Sequence, residues 1–263
     1  MRHCTYTAAA FAKILRTVAV SKVIQEDSYM KGLILAAGDG GRLRPLTLQT
    51  PKVLLDAGGV PLIHYPIHAL RSAGISEIAV AVGYKREAVE STLSEMYPGL
   101  TFLFNEDHDG GNALSIAVAR EFMQDDPFVV CMGDHTIDPG IVQRLVSQSW
   151  AGCVLCIDSA AWSPSQLDDA TRVTTDIGGF ISQIGKDLKV WSAVDTGVFQ
   201  MTQRVFPAIE HLMRGQGNDV SITDMVRYLG GSGHPFATCD VSGSFWADVD
   251  TLEDYQAIKG LLN

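Results

Sequence analysis

Lys31-Gly32-Leu33-Ile34-Leu35-Ala36-Ala37-Gly38-Asp39-Gly40-Gly41-Arg42-Leu43-Arg44-Pro45-Leu46-Thr47 decides the fold. The run Gly32–Ala37 is short, apolar and closed by glycines, which reads as a strand buried on both faces and therefore parallel to its neighbours. A glycine-rich loop comes directly after it. In open α/β sheets ligands collect at the carboxyl ends of strands. Glycines let the main chain pass close to such a ligand and aim N–H groups at anionic oxygens. Arg42 adds a forked, permanent cation suited to phosphate, and Pro51-Lys52 adds a second cation at a fixed turn. Two rival glycine motifs do not fit. A P-loop requires GxxxxGK followed by Ser or Thr, and a dinucleotide fingerprint requires a third glycine and an immediate helix where Leu43-Arg44-Pro45 stands.

Outward from that stretch the pattern alternates. Leu62–Ala73 carries apolar residues at helical spacing and stops at Gly74. Strands are predicted at Ile78–Val82, Thr101–Phe104, Phe128–Met132 and Cys153–Ile157, and helices at Lys85–Met96 and Ala113–Phe122. Asp138-Pro139 opens another helix, with Asp as N-cap and Pro in the first turn. Residues 170–200 read as several short strands broken at Gly178-Gly179. Helices near Gln203–Met213 and Ser221–Leu229 follow, the second capped by Ser221 with Asp224. Strands near 235–240 and 244–248 precede a last helix from Thr251. The fold class is α/β: a doubly wound, mostly parallel mixed sheet, Rossmann-like, with an α+β C-terminal half.

Of the 263 residues, 46% are hydrophobic and 19% charged, which excludes a disordered or fibrous chain. The formal net charge of -10 repels phosphate backbones, so no nucleic-acid partner is expected. No uncharged apolar stretch reaches the ~18 residues of a membrane span. An odd count of five cysteines points to reduced thiols in a cytoplasm. Cys153 and Cys156 stand three apart on a predicted strand and face opposite sides, so they read as structural. Residues 1–25 lack acidic residues, and the apolar run Ala8–Val20 is broken by Lys13 and Arg16. That is a poor secretory signal. Met30 precedes the first strand directly, so residues 1–29 are read as an extension and 30–263 as the domain. No feature of the sequence sets an oligomeric state.

The run from Lys31 through Thr50-Pro51-Lys52-Val53-Leu54-Leu55 resembles the signature of nucleotidyltransferases that act on sugar 1-phosphates and related phosphate monoesters. Gly133-Asp134-His135 after a strand and Trp246-Ala247-Asp248-Val249-Asp250-Thr251 near the end extend the resemblance over residues 30–262. Ile184-Gly185-Lys186-Asp187-Leu188, with Trp191 through Phe199, is similar to the CTP:inositol-1-phosphate cytidylyltransferases in particular. One departure is Gly41, where the family commonly has Ser or Thr.

The resemblance implies attack by an acceptor phosphate oxygen on the α-phosphorus of a nucleoside triphosphate, CTP first among them, with pyrophosphate leaving. The acceptor would be inositol 1-phosphate, a similar small phosphate monoester or a phosphonate. Asp134 and Asp248 would hold Mg²⁺, an ion that takes one or two carboxylates plus phosphate oxygens. Arg42 would face the pyrophosphate, Lys52 the α-phosphate or the acceptor phosphate. Leu35, Ala36, Ala37, Gly38, Gly40, Gly41, Asn105, Gly111 and Asn112 would line the nucleotide, and Lys186, Asp195 and Thr196 the acceptor. Asp250-Thr251-Leu252-Glu253 fits a helix N-cap box, so Asp250 is read as a cap. His135 is read as packing beside Asp134. His64 and His68 share a helix face without a third ligand and are also read as packing. The alternatives left open are a sugar-1-phosphate nucleotidyltransferase using UTP, dTTP or GTP, and a catalytically silent regulatory protein on the same fold.

Overall fold

A computed structural model describes residues 30–124, 127–160 and 169–262. The extension predicted at 1–29 lies outside them. The chain runs β1 (Lys31–Ala36), three 3₁₀ turns, the hairpin β2 (Asp56–Ala57) and β3 (Val60–Pro61), α1 (His64–Ser72), β4 (Ile78–Val82), α2 (Arg86–Met96), β5 (Thr101–Phe104), α3 (Leu114–Ala117), β6 (Phe128–Met132), β7 (His135–Ile137), α4 (Pro139–Val146) and β8 (Val154–Asp158). It continues with β9 (Arg172–Thr175), β10 (Ile181–Gly185), β11 (Ala193–Met201), α5 (Val205–Gln216), α6 (Ile222–Gly231), β12 (Ala237–Asp240), β13 (Trp246–Asp248) and α7 (Leu252–Leu262).

The main sheet is nine-stranded and mixed, in the order β10-β9-β11-β6-β1-β4-β5, with β8 on β11 and β12 on β8. Strands β5, β4, β1 and β6 are parallel. Strand β11 then runs antiparallel to β6. From β1 the chain winds outward to β4 and β5 and returns on the other side as β6. The β1/β6 seam is therefore the point at which strand order reverses, where open sheets bind ligands.

Alternation along the strands builds two cores, one per face. Leu33, Leu35, Phe128, Val130, Leu155 and Phe199 pack with α5 and α6. Ile34, Ala36, Val129, Cys131, Val154 and Val198 pack with α1, α2 and α4. Cys153 belongs to the first core and Cys156 to the second, the opposed placement their spacing predicts. A third, smaller core joins Leu43, Leu55, Leu62, Val249 and Ile258.

The caps expected at Asp138 and Ser221 both form: Gly140 N–H donates to Asp138 at 2.7 Å, and Ser221 with Asp224 closes a capping box. The helix expected at Ala113–Phe122 is shorter. Beyond Ala117 the bonds tighten to an i→i−3 pattern, with Ala119 donating to Ile116 and Arg120 to Ala117, so the helix ends in turns. The short strands expected within 170–200 form as β9 and β10 on either side of Gly178-Gly179, and the last, β11, is longer, at nine residues. Among the described residues no helix is long and apolar enough to cross a membrane.

Candidate active site at the ends of β1 and β6

The glycine loop leaves the carboxyl end of β1, and Asp134 leaves the carboxyl end of the neighbouring β6. Strand β7 then pairs antiparallel with β13, which sets Asp248 opposite His135. This small two-stranded sheet brings the distant carboxylates of Asp134 and Asp248 to one place. Gly40, at φ 62°, lies where a Cβ would stand 2.9 Å from the Lys52 Cβ, so only glycine lets loop and lysine approach.

Two adjoining clefts open there. The first, about 480 Å³, is lined by Leu35, Ala37, Gly38, Gly40, Gly41, Lys52, Gly111 and Asn112 among others. The second, about 490 Å³, is lined by Lys186, Asp195, Asp169, Asp248 and Glu253 among others. Arg42, Asp134 and Asp250 stand on the wall common to both.

Across that wall runs a chain of alternating charges. Lys52 is buried and holds Asp134 at 2.5 Å and Asp250 at 2.5 Å. Asp250 also pairs with Arg42, and Arg42 with Asp169. Asp169 in turn accepts from Lys186 at 2.6 Å. Burial alone would lower the Lys52 ammonium's pKa, but the carboxylates of Asp134, Asp248 and Asp250 outweigh it and raise it. Burial would raise Asp134, yet Lys52 and His135 hold it below its ordinary value. Asp250 is likewise held low, with Lys52 outweighing burial. At Asp248 burial prevails over His135 and pushes its pKa up to about 7. Asp195 is pushed up to about 6 by burial, against the Gly197 N–H that donates to it at 2.7 Å.

Not every expected residue reaches the clefts by its side chain. Thr196 is fully buried and donates to the Cys156 carbonyl at 2.8 Å. Asn105 is buried and donates to Ser115 at 3.1 Å, and Ala36 packs in the core behind the loop. The Gly41 N–H is taken by Asp39 at 3.0 Å, and the Gly111 N–H by the Asn218 carbonyl at 2.8 Å. Asn112 lines the clefts, while its Oδ1 accepts the Ile222 N–H at the start of α6.

Three residues are placed differently from their sequence reading, or were missed. Asp250 is no cap: Thr251 caps α7, exchanging bonds with Asp254 at 3.2 and 2.8 Å, which frees the Asp250 carboxylate for Arg42 and Lys52. Asp169 had no motif to mark it. His135, read as packing, turns Nε2 toward Asp248 Oδ1 at 3.5 Å and Asp134 Oδ1 at 3.9 Å. His64 does pack, against His68 and with Nδ1 2.8 Å from the Tyr97 hydroxyl.

The donor set fits a divalent cation. Asp134 Oδ1 and Asp248 Oδ1 are both buried without a hydrogen-bond partner. Such carboxylate oxygens are costly unless something charged completes them.

Residues 31–157 match the family model Nucleotidyl transferase. The chain is 33% identical over 225 residues to a bifunctional IPC transferase and DIPP synthase of Rubrobacter xylanophilus, matching 84% of this chain and 49% of that protein. It is 30% identical over 244 residues to the CMP-5'-(3-aminopropyl)phosphonate synthase of Streptomyces rubellomurinus, matching 86% of this chain and 37% of that one. The chain thus spans half or less of the length of these two relatives. Among solved structures, the inositol-1-phosphate CTP transferase from T. maritima superposes with a TM-score of 0.79 at 24% identity, over 89% of this chain and 97% of that one, a likeness of fold.

Proposed function

We propose that this protein transfers a cytidylyl group from CTP to a small phosphate monoester, such as inositol 1-phosphate, or to a phosphonate. A P–O bond forms between the acceptor oxygen and the α-phosphorus, the α–β P–O bond breaks, and pyrophosphate leaves. The observation that carries this reading is the pair of unpartnered buried oxygens on Asp134 and Asp248, set beside the buried Lys52 and the Arg42 guanidinium between two clefts.

Two anions must meet, so the first requirement is to offset their repulsion. The glycine loop and Arg42 receive the β- and γ-phosphates. Lys52 meets charge on the α-phosphate or the incoming acceptor. Lys186 holds the acceptor phosphate in the second cleft, with Asp195 on its wall. Asp134 and Asp248 would hold a divalent ion, Mg²⁺ in the first instance, which would supply positive charge to the reacting phosphate. No nucleophilic side chain is required, because the acceptor carries the attacking oxygen. Asp250 and Asp169 pair with the cations that substrate phosphates would claim, and Asp250 together with Asp134 compensates the buried Lys52 ammonium.

A cytoplasmic setting is part of the proposal, supported by the buried Cys131, Cys156 and Cys239, which form no disulfide. So is the absence of a nucleic-acid partner, supported by the net charge of -10. The test is pyrophosphate release with Mg²⁺, each nucleoside triphosphate in turn, and a panel of polyol phosphates, sugar 1-phosphates and aminoalkylphosphonates. Release chiefly with CTP is the expected result. Preference for UTP, dTTP or GTP with a sugar 1-phosphate would move the assignment to that branch of the family. No release with any pair would indicate a silent member.

A further inference from the structure

We infer that His135 is a third ligand to the metal of this site, and that it tilts the site from Mg²⁺ toward a softer divalent ion such as Mn²⁺. This deepens the reading above, since it concerns the ion of the same reaction.

The ring is aimed by its surroundings. His135 Nδ1 lies 3.0 Å from the carbonyl oxygen of Thr196. A carbonyl can only accept, so Nδ1 carries the proton and Nε2 is the atom left for another role. A hydrogen bond from the second ring nitrogen to a backbone carbonyl is how metal-bound histidines are generally oriented. Nε2 then faces the two carboxylate oxygens that lack a hydrogen-bond partner, Asp248 Oδ1 at 3.5 Å and Asp134 Oδ1 at 3.9 Å. One donor atom from each of the three residues lies within 4.8 Å of the others. An ion with bonds of roughly 2.1 Å holds its ligand atoms about 3–4 Å apart, so the three can close on one ion with only small movement.

The backbone is shaped for this ring. Gly197 sits at φ 75°, and a Cβ there would fall 2.4 Å from His135 Cε1 and Nδ1. His135 is only 8% exposed. A packing histidine has no need to face two unpartnered carboxylate oxygens. Imidazole also changes the preference of the site. Mg²⁺ favours an all-oxygen shell, whereas nitrogen donors raise affinity for Mn²⁺ and the later divalent ions.

The test reads the ligand atom directly. Full-length protein labelled with ¹⁵N-histidine is loaded with Mn²⁺, alone and with a non-hydrolysable CTP analogue, and examined by pulsed electron paramagnetic resonance. A ¹⁵N coupling from a directly bound ring nitrogen is expected, and it disappears in His135→Gln. Mn²⁺ should bind at least ~10-fold tighter than Mg²⁺ by competition, and His135→Gln should close most of that gap. If His135→Gln fails to fold, His135→Asn serves as the second variant, and the wild-type coupling stands by itself. Bound Mn²⁺ without ¹⁵N coupling, or a coupling that survives both variants, overturns the inference. Phosphorus coupling from the analogue without ¹⁵N coupling would sink His135 as a ligand while leaving nucleotidyl transfer standing. No bound Mn²⁺ in either sample would overturn the ligand assignment, whatever the pyrophosphate assay shows.

Discussion

The Lys52 ammonium lies 2.5 Å from the Asp134 carboxylate, and the lysine is only 7% exposed. A cation this buried survives because acids surround it, and those acids depend on it in return. Removing one partner of such a cluster leaves uncompensated buried charge.

Lys52→Ala is therefore expected to fail twice. Turnover should fall by ~10²–10³ or more, as when a charge-stabilising donor is removed. Stability should fall by about 3 kcal/mol or more, because Asp134 and Asp250 lose their common counter-charge. Pyrophosphate release and denaturant unfolding check the two effects, and unchanged unfolding would contradict the cluster.

Asp169→Asn is expected to behave in the opposite way. Asp169 is half-exposed, and it occupies both Arg42 and Lys186. Exposed pairs contribute only about 0–1 kcal/mol, so stability should hardly move. Lys186 is released and Arg42 keeps its pair with Asp250, so the KM for acceptor should drop severalfold and that for nucleotide by less, with kcat little changed. Steady-state kinetics with each substrate varied will show it, and a rise in both KM values would count against it.

Asp195→Asn should show a pH-dependent gain in stability. The Asp195 pKa is raised from 3.8 to about 6 in the folded chain. The folded state therefore binds this proton more tightly than the unfolded state, and ionising the group costs stability. That cost is absent below pH 3.8, grows as pH rises to about 6, and is constant above. Asn keeps the acceptor for the Gly197 N–H and carries no charge. Unfolding curves of variant and wild type should nearly coincide at the acid end and separate above pH 6, with the variant more stable.

Gly197→Ala should damage the site through the backbone. At φ 75° any side chain is strained, and the new methyl would drive into the His135 ring. A loss of about 1–3 kcal/mol is expected, with weaker divalent-ion binding. Thermal unfolding and ion titration of the same sample measure both.

The fold was largely legible because its signals are local. Alternating apolar runs gave the strands, and Asp138-Pro139 and Ser221 with Asp224 announced their helices through bonds spanning only a few residues. Gly40, Arg42, Lys52, Asp134 and Asp248 stood out as glycine or charged residues in the loop after β1, at the Pro51 turn and at the ends of strands. Asp250 was misread because its neighbours Thr251 and Asp254 form a cap shifted by one position, and a window cannot tell which hydroxyl or carboxylate takes the bond. Asp169 and the orientation of His135 depend on contacts between distant segments. The β7–β13 pairing that sets Asp248 against His135 involves three residues per strand, too few to leave a periodic trace. Asn105, just past β5, and Thr196, inside β11, show the converse: polar residues whose side chains are spent on internal bonds.

Leu43 sits next to Arg42 in the chain, Val249 separates Asp248 from Asp250, and both are fully buried in the same small core. That core ties the backbone beside Arg42 to the segment carrying Asp248 and Asp250 through apolar packing alone. A smaller residue at 43 or 249 would leave a cavity there and loosen the spacing of the guanidinium and the two carboxylates together.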